Sequence, residues 1–461
     1  MKTASFFKMA SVVLLLAIVS IKLDAQIFTN LYSFTGGSDG SSPQASLVLA
    51  GSTLYGTTEF GGSSSDGTVF AVNTNESSDT VLTNFNGSDG YYPVAGLVLT
   101  NVTLYGITLT TLFKVNTNGS GFAVLTNFTS SDGVGSEATL ILSGNTLYGT
   151  AFAGGSSNEG TVFKVNTDGS GLTVLKNFPA LVSGTNSDGA NPHCSLVLSG
   201  NTLYGTTESG GSSGNGVVFE VNTNGNGFGV LKNFPALVSG TNSDGANPYA
   251  GLTLSGNTLY GTTYYGGSFG DGTVFRINTN GSSFTNLHNF NFDSNDGYKP
   301  YAGLISSGNT LYGTTEYGGS GGFGFGTVFS ISGNGSGFTI LYTFTGGSDG
   351  GSPQADLLLS GNTLYGTTSK GGQNYGTVFK LDNLPAPPPS TVSGSRNTNG
   401  SFTINFAGGP NCTYLVQTTT NLTASSWGTI STNVAGTNGL WQFTDTNAGN
   451  YSARFYRSAT P

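Results

Sequence analysis

SGNTLYGTT, residues 199–207, recurs letter for letter at 255–263, 307–315 and 360–368. The nine residues carry no charge, no histidine and no cysteine, so the repeat is architecture before it is chemistry. Aligned on the tyrosine of LYG, the chain shows Tyr55, Tyr105, Tyr148, Tyr204, Tyr260, Tyr312 and Tyr365, spaced by 50, 43, 56, 56, 52 and 53 residues. A period near fifty with four strand-like segments per unit is that of a propeller blade. In the fourth unit these segments are 195–199, 202–207, 217–222 and 228–234, here termed strands A to D.

The two ends of the repeat region distinguish a ring from an open stack. FTNLYSF (28–34) is a lone D-type segment, and the last unit stops after the C-type segment GTVFKL (376–381). If the first pairs with the last, no sheet edge is left exposed. The expected fold is therefore all-β, a seven-bladed β-propeller over residues 26–383 closed by its N-terminal strand. An open solenoid is the alternative, and it would need polar capping units that the sequence does not show.

Composition agrees with many short strands. Of 461 residues 74 are glycine and only 8% are charged, and no stretch after residue 25 has sustained helical periodicity. Residues 1–25 read as an export signal: Lys2 and Lys8, an apolar run from Met9 to Ile21, and Leu23-Asp24-Ala25 before the cut. Losing that segment removes Lys2, Lys8, Lys22 and Asp24, so the formal charge moves from −9 to −11. An acidic exported chain without a membrane span is not expected to bind nucleic acid, and it is expected to be secreted or held at the cell surface as a monomer. Cys194 and Cys412 lie on opposite sides of a linker, an unusual placement for a disulfide staple.

The units resemble the Gloeo/Verruco (GloVer) tandem repeat of exported bacterial proteins, through NTLYGTT, then GG, then GTVFKVN. The resemblance covers residues 28–381. It implies an extracytoplasmic propeller-like protein and brings no catalytic residues with it. LPAPPPSTV (384–392) then reads as a stiff linker. In residues 393–461, SFTINFA, CTYLVQTTT, LWQFTD and SARFYRS alternate like strands of a small β-sandwich, resembling fibronectin-III-like or immunoglobulin-like modules.

Binding is expected on the face of the DA and BC loops, which are longer and vary in length, whereas the AB and CD turns are short. The residue between Pro and Ala at the start of strand A reads Gln44, Val94, Glu137, His193, Tyr249, Tyr301 and Gln354. These positions should ring the channel mouth and form a pocket. The BC loops add Phe60, Phe152, Tyr264, Tyr265, Phe269, Tyr317, Phe323, Phe325 and Tyr375, either as stacking surfaces or as packing under the loops. The candidate ligand-binding set is Gln44, Glu137, His193, Tyr249, Tyr301, Gln354, Tyr264, Tyr265 and Tyr317. Asp-Gly occurs in every DA loop, at Asp39, Asp89, Asp132, Asp188, Asp244, Asp296 and Asp349, and suits a tight turn better than calcium. Cys194 takes the place of an alanine and reads as packing. Two histidines exclude a three-histidine zinc site, and no metal or cofactor is expected.

The leading expectation is a non-enzymatic protein that recognises a glycan or a protein. A polysaccharide-active hydrolase or lyase is the alternative, using Glu137 and Asp356 with His193 and Tyr249 as helpers. A purely structural or adhesive element is a third class, suggested by VLKNFPALVSGTNSDGANP at both 174–192 and 230–248.

Overall fold

The computed structural model describes residues 26–75, 79–319, 324–384, 390–407, 413–420, 427–435, 440–451 and 454–459. The expected export signal, most of the linker, Phe323 and Cys412 lie outside the described residues.

Seven four-stranded antiparallel sheets follow one another along the chain. The first is built from Val48–Ala50, Thr53–Thr58, Thr68–Asn73 and Asp79–Asn84 as strands A to D. The seventh takes Leu358–Ser360, Thr363–Thr368 and Thr377–Asp382, and its fourth strand is Ile27–Ser33 from the chain's beginning. That strand adopts the register of a D strand in detail, with an irregularity between Asn30 and Tyr32. The other six C–D pairs shift at the equivalent place, as between Val218 and Phe219.

Strand A is shorter than the sequence suggests, Val197–Ser199 where 195–199 was expected. The preceding residues make other bonds: the Cys194 carbonyl accepts the Thr150 hydroxyl at 2.8 Å, and the Cys194 thiol bonds the Thr206 backbone. A segment whose polar groups are satisfied across a gap between sheets does not extend a ladder.

Six of the nine residues of SGNTLYGTT now have a physical role. Leu203, wholly buried, packs with Phe178 and Tyr148 of the preceding unit, while Tyr204 turns the other way, onto Leu252 and Phe275 of the next. This is strand alternation used to join two neighbours. Gly205 leaves room for the Phe219 ring, whose Cζ would lie 2.6 Å from any Cβ there. The Thr206 hydroxyl donates to the Ala250 carbonyl of the next unit at 2.9 Å, and Thr367 does the same to Ala45 at 3.3 Å. Thr207 stays local and accepts the Val217 N–H at 3.2 Å. Gly200 holds the turn at φ +59°, a conformation that Asn101 adopts in the second unit at +54°.

The sheets are also tied at the DA/BC side. Within units, the end of the DA loop pairs with the start of the BC loop, as at Ser41 with Phe60 and Ala190 with Ser209. Between units, the residue before strand A's Pro sits at positive φ and donates its N–H to the previous BC loop. Asn191 reaches Glu159 at 2.8 Å and Ser352 reaches Phe325 at 2.7 Å, while Ser42 of the first unit reaches Tyr375 of the last at 2.9 Å. The hydrophobic core shows the same continuity: Leu31, Phe34 and Val378 share one cluster with Leu47, Leu54 and Phe70.

Beyond the repeats, two three-stranded sheets share a core of Ile404, Phe406, Tyr414, Val416, Ala435 and Trp441. Trp441 stacks on Phe406 at 4.1 Å. No helix among the described residues is long and apolar enough to cross a membrane.

Candidate functional site

The start of strand A brings two tiers of side chains to one cavity. The residues after Pro or its equivalent, Gln44, Val94, Glu137, His193, Tyr249, Tyr301 and Gln354, all line it. Two positions further along lie Ser46, Gly96, Thr139, Ser195, Gly251 and Asp356, which line it as well. Small residues are needed there because neighbouring segments nearly touch: a Cβ on Gly251 would lie 2.8 Å from the Ser195 carbonyl oxygen. Side chains of this tier bond the backbone of the adjacent unit. Gly96 N–H donates to Thr139 Oγ1 and Thr139 N–H to Ser195 Oγ, both at 3.0 Å, and Gly303 N–H donates to Asp356 Oδ1 at 2.6 Å.

The cavity measures about 130 Å³. Clefts for drug-sized ligands run to roughly 300–1,000 Å³, so this one accepts a small group and not a whole oligomer.

A second ring of residues, of which the sequence singled out only Phe152 and Tyr264, adjoins the first. Four places after the LYG tyrosine stand Glu59, Leu109, Phe152, Glu208, Tyr264, Glu316 and Ser369. Reading that column in the same alignment would have revealed three glutamates. They hold the first ring in place. His193 Nδ1 lies 2.9 Å from Glu137 Oε2, and its Nε2 lies 3.2 Å from Glu208 Oε2. Tyr249 donates its hydroxyl to Glu208 at 2.6 Å, Gln354 its amide to Glu316 at 2.9 Å, and Gln44 its amide to Glu59. Phe152 stacks on His193 at 4.8 Å and Tyr301 on Tyr249 at 5.2 Å.

These contacts decide the charge states. Burial alone would lower the His193 pKa, but hydrogen bonds and charge from Glu137 and Glu208 outweigh it and raise it to about 9. With both ring nitrogens donating, the imidazolium has no lone pair for a metal or for base catalysis. Glu208 shows the converse balance: burial would raise its carboxyl, and the bonds from His193 and Tyr249 bring it below the usual range. Glu59 has no cation beside it. Burial, and then the charge of Glu137, push it up to about 7. Folded and unfolded Glu59 therefore titrate apart, and stability present below about pH 4.5 is lost as pH rises through about 7. Glu59→Gln is expected to raise the melting temperature at pH 8 and leave it unchanged at pH 4. An equal shift at both pH values would exclude this account.

Three of the candidate binding residues lie on the BC loops, apart from this cavity. Tyr264, Tyr265 and Tyr317 do not line the cavity. Tyr264 donates to Glu316 at 2.9 Å and packs edge-on to Tyr265 at 4.7 Å, while Tyr317 stacks on Tyr298 at 5.5 Å. They are occupied in holding the rim, with Lys299 over all three rings. Other BC aromatics lie against loop glycines at distances that leave no room for a Cβ: Phe152 covers Gly135, while Tyr375 over Gly36 and Phe325 over Gly346 each remain 44% exposed. Phe269, 55% exposed, stays open to solvent.

The Asp-Gly aspartates are bound within their own units. Asp39 accepts the Thr35 N–H at 2.8 Å and the Tyr32 hydroxyl at 2.9 Å, and Asp349 repeats this with Thr345 and Tyr342. Asp188 and Asp244 take Lys176 and Lys232, and Asp296 takes His288 at 2.9 Å. Among the described residues, no three His, Cys, Asp or Glu side chains converge as a metal site.

Successive four-stranded antiparallel sheets that share cores between neighbours define a propeller-like all-β repeat protein. The chain belongs to the Gloeobacter/Verrucomicrobia repeat family, whose model matches residues 17–111, 109–325 and 232–443. No curated protein matches it. Among solved structures, the Pan2 WD40 domain of Neurospora crassa is similar at 12% identity and TM-score 0.50, over 77% of this chain and 95% of that one. A chain described as the extracellular domain of a hybrid two component system from B. thetaiotaomicron is similar at 11% identity and TM-score 0.51, over 83% of this chain. This chain spans 46% of that structure's length. At such identities the likeness is one of fold alone.

Proposed function

We propose that the protein is a secreted or cell-surface binding protein, non-enzymatic, that recognises a glycan or a protein on the DA/BC-loop face of a closed seven-bladed propeller. The observation that carries this reading is the cavity itself. Its first tier is made of the position near strand A whose chemistry changes most from unit to unit, in a scaffold otherwise nearly repeated. Closure is supported by the first strand pairing with Thr377–Asp382, and by the core and hydrogen bonds that join the first unit to the last. The two C-terminal sheets then serve as an immunoglobulin-like or fibronectin-III-like module for presentation or attachment.

A glycan array with the repeat region tests the reading. Binding should fall at least tenfold in Tyr249→Ala and in Tyr301→Ala. Undiminished binding in both variants would move the site to the loop rim. A polysaccharide-active enzyme remains the second reading, favoured by one observation, a carboxyl at Glu59 held near 7 where a general acid works best. Turnover of an arrayed glycan, abolished by Glu59→Gln, would establish it.

A further inference from the structure

We propose that the axial cavity takes a protonated primary amine, carried by an amino sugar or by a lysine side chain. This rests on the cavity being the binding site, and it names the ligand chemistry. Glu59, Glu137 and Asp356 line the cavity, and no lysine or arginine does. The positive charge of His193 is shared between Glu137 and Glu208, so it leaves Glu59 and Asp356 unpaired. Burial and the charge of Glu137 disfavour a charged Glu59, and burial disfavours a charged Asp356, so an incoming cation stabilises both as carboxylates.

Asp356 is the member of this set that breaks the repeat pattern. It stands where the other units have Ser, Gly or Thr, half-buried at the inner tier and lining the cavity. Only its Oδ1 is bonded, by the Gly303 N–H, and burial pushes its carboxyl up. Among the described residues its Oδ2 has no hydrogen-bond partner, and neither has the Tyr301 hydroxyl. Both residues line the cavity. An alkylammonium offers three N–H donors to carboxylate and hydroxyl oxygens. Its methylene carbons fit beside the stacked rings of Tyr249 and Tyr301, which favour a cation on their faces. The volume of about 130 Å³ suits an ammonium with the first atoms of its carrier. A neutral hydroxyl would fill the space without relieving the charge, and a divalent metal would find no set of three ligating side chains among the described residues.

Isothermal titration of the full chain tests this with two matched pairs of probes: a glucosamine trimer against an N-acetylglucosamine trimer, and Nα-acetyl-lysine methylamide against its Nε-acetylated form. The free-amine member of at least one pair should bind tenfold or more tightly than its acetylated partner. Which pair responds tells an amino sugar from a lysine side chain. Asp356→Asn and Glu59→Gln should each cost tenfold or more, with an unchanged near-ultraviolet dichroism spectrum to show that each folds. Equal binding of acetylated and free forms, lost in Tyr249→Ala, would overturn the amine and leave the pocket standing. Binding that is indifferent to Tyr249→Ala would overturn the pocket as well. Failure of all four probes would overturn the amine proposal, while the array result judges the pocket separately.

Discussion

Deleting residues 26–34 is expected to leave a chain that aggregates instead of folding. The segment supplies the fourth strand of the seventh sheet. Without it, the backbone of Thr377–Asp382 becomes an open edge, a template for pairing with other chains. The apolar loss is larger. Phe34, 1% exposed, meets Phe70 edge-on at 5.0 Å, and Phe28 stacks on Tyr342 at 4.1 Å. Truncating a buried Phe costs about 3–5 kcal/mol, and a buried Leu such as Leu31 about 2–5 kcal/mol. Together these rival the ~5–15 kcal/mol by which a typical domain is stable. Size-exclusion chromatography of the truncated chain, with and without a peptide of residues 26–40, measures the effect. The peptide should restore a soluble monomeric species. A soluble truncated chain with an unchanged melting temperature would mean that the first strand does not complete the fold.

The second large effect is expected at a glycine whose φ is unremarkable. A Cβ on Gly205 would sit 2.6 Å from Phe219 Cζ, 2.9 Å from Leu196 Cδ2 and 3.0 Å from Cys194 Sγ. All are rigid or fully packed core atoms, so Gly205→Ala should cost about 1–3 kcal/mol through overpacking, and Gly205→Val more. Gly200, five residues earlier, is the internal control. Its φ is +59° and nothing lies within 4 Å of a built Cβ, so the demand there is on the backbone and not on space. Asn101 already occupies that place in the second unit at φ +54°, and Gly200→Asn should be near neutral. Calorimetric melting of the two variants side by side separates the cases. Equal destabilisation would mean that both glycines serve the turn alone.

How far the sequence could be read depended on the range of the interaction involved. The hairpins around Tyr55 to Tyr365, the D-type start and the C-type end were legible because strand alternation and turn chemistry are local, and repetition multiplied the signal. The first tier of the cavity, from Gln44 to Gln354, was legible for a related reason: positions that vary inside a constant frame stand out. For Tyr264, Tyr265 and Tyr317 the sequence left stacking surface and loop packing open, because exposure cannot be told from rim packing until the neighbouring loop is known. The same uncertainty covered Tyr375, which lies over a glycine more than three hundred residues away in the chain.

By itself, then, the sequence determined the repeat, its strand pattern and the variable column that lines the cavity, since each follows from short segments compared between repeats. Only the tertiary structure decided that Glu59, Glu208 and Glu316 stand behind that column, that His193 is held as a cation between two carboxylates, and that Asp356 keeps one oxygen free. Those facts depend on which units are neighbours and how deeply each group is buried. Charge and desolvation act through space, and the distance along the chain does not reveal them.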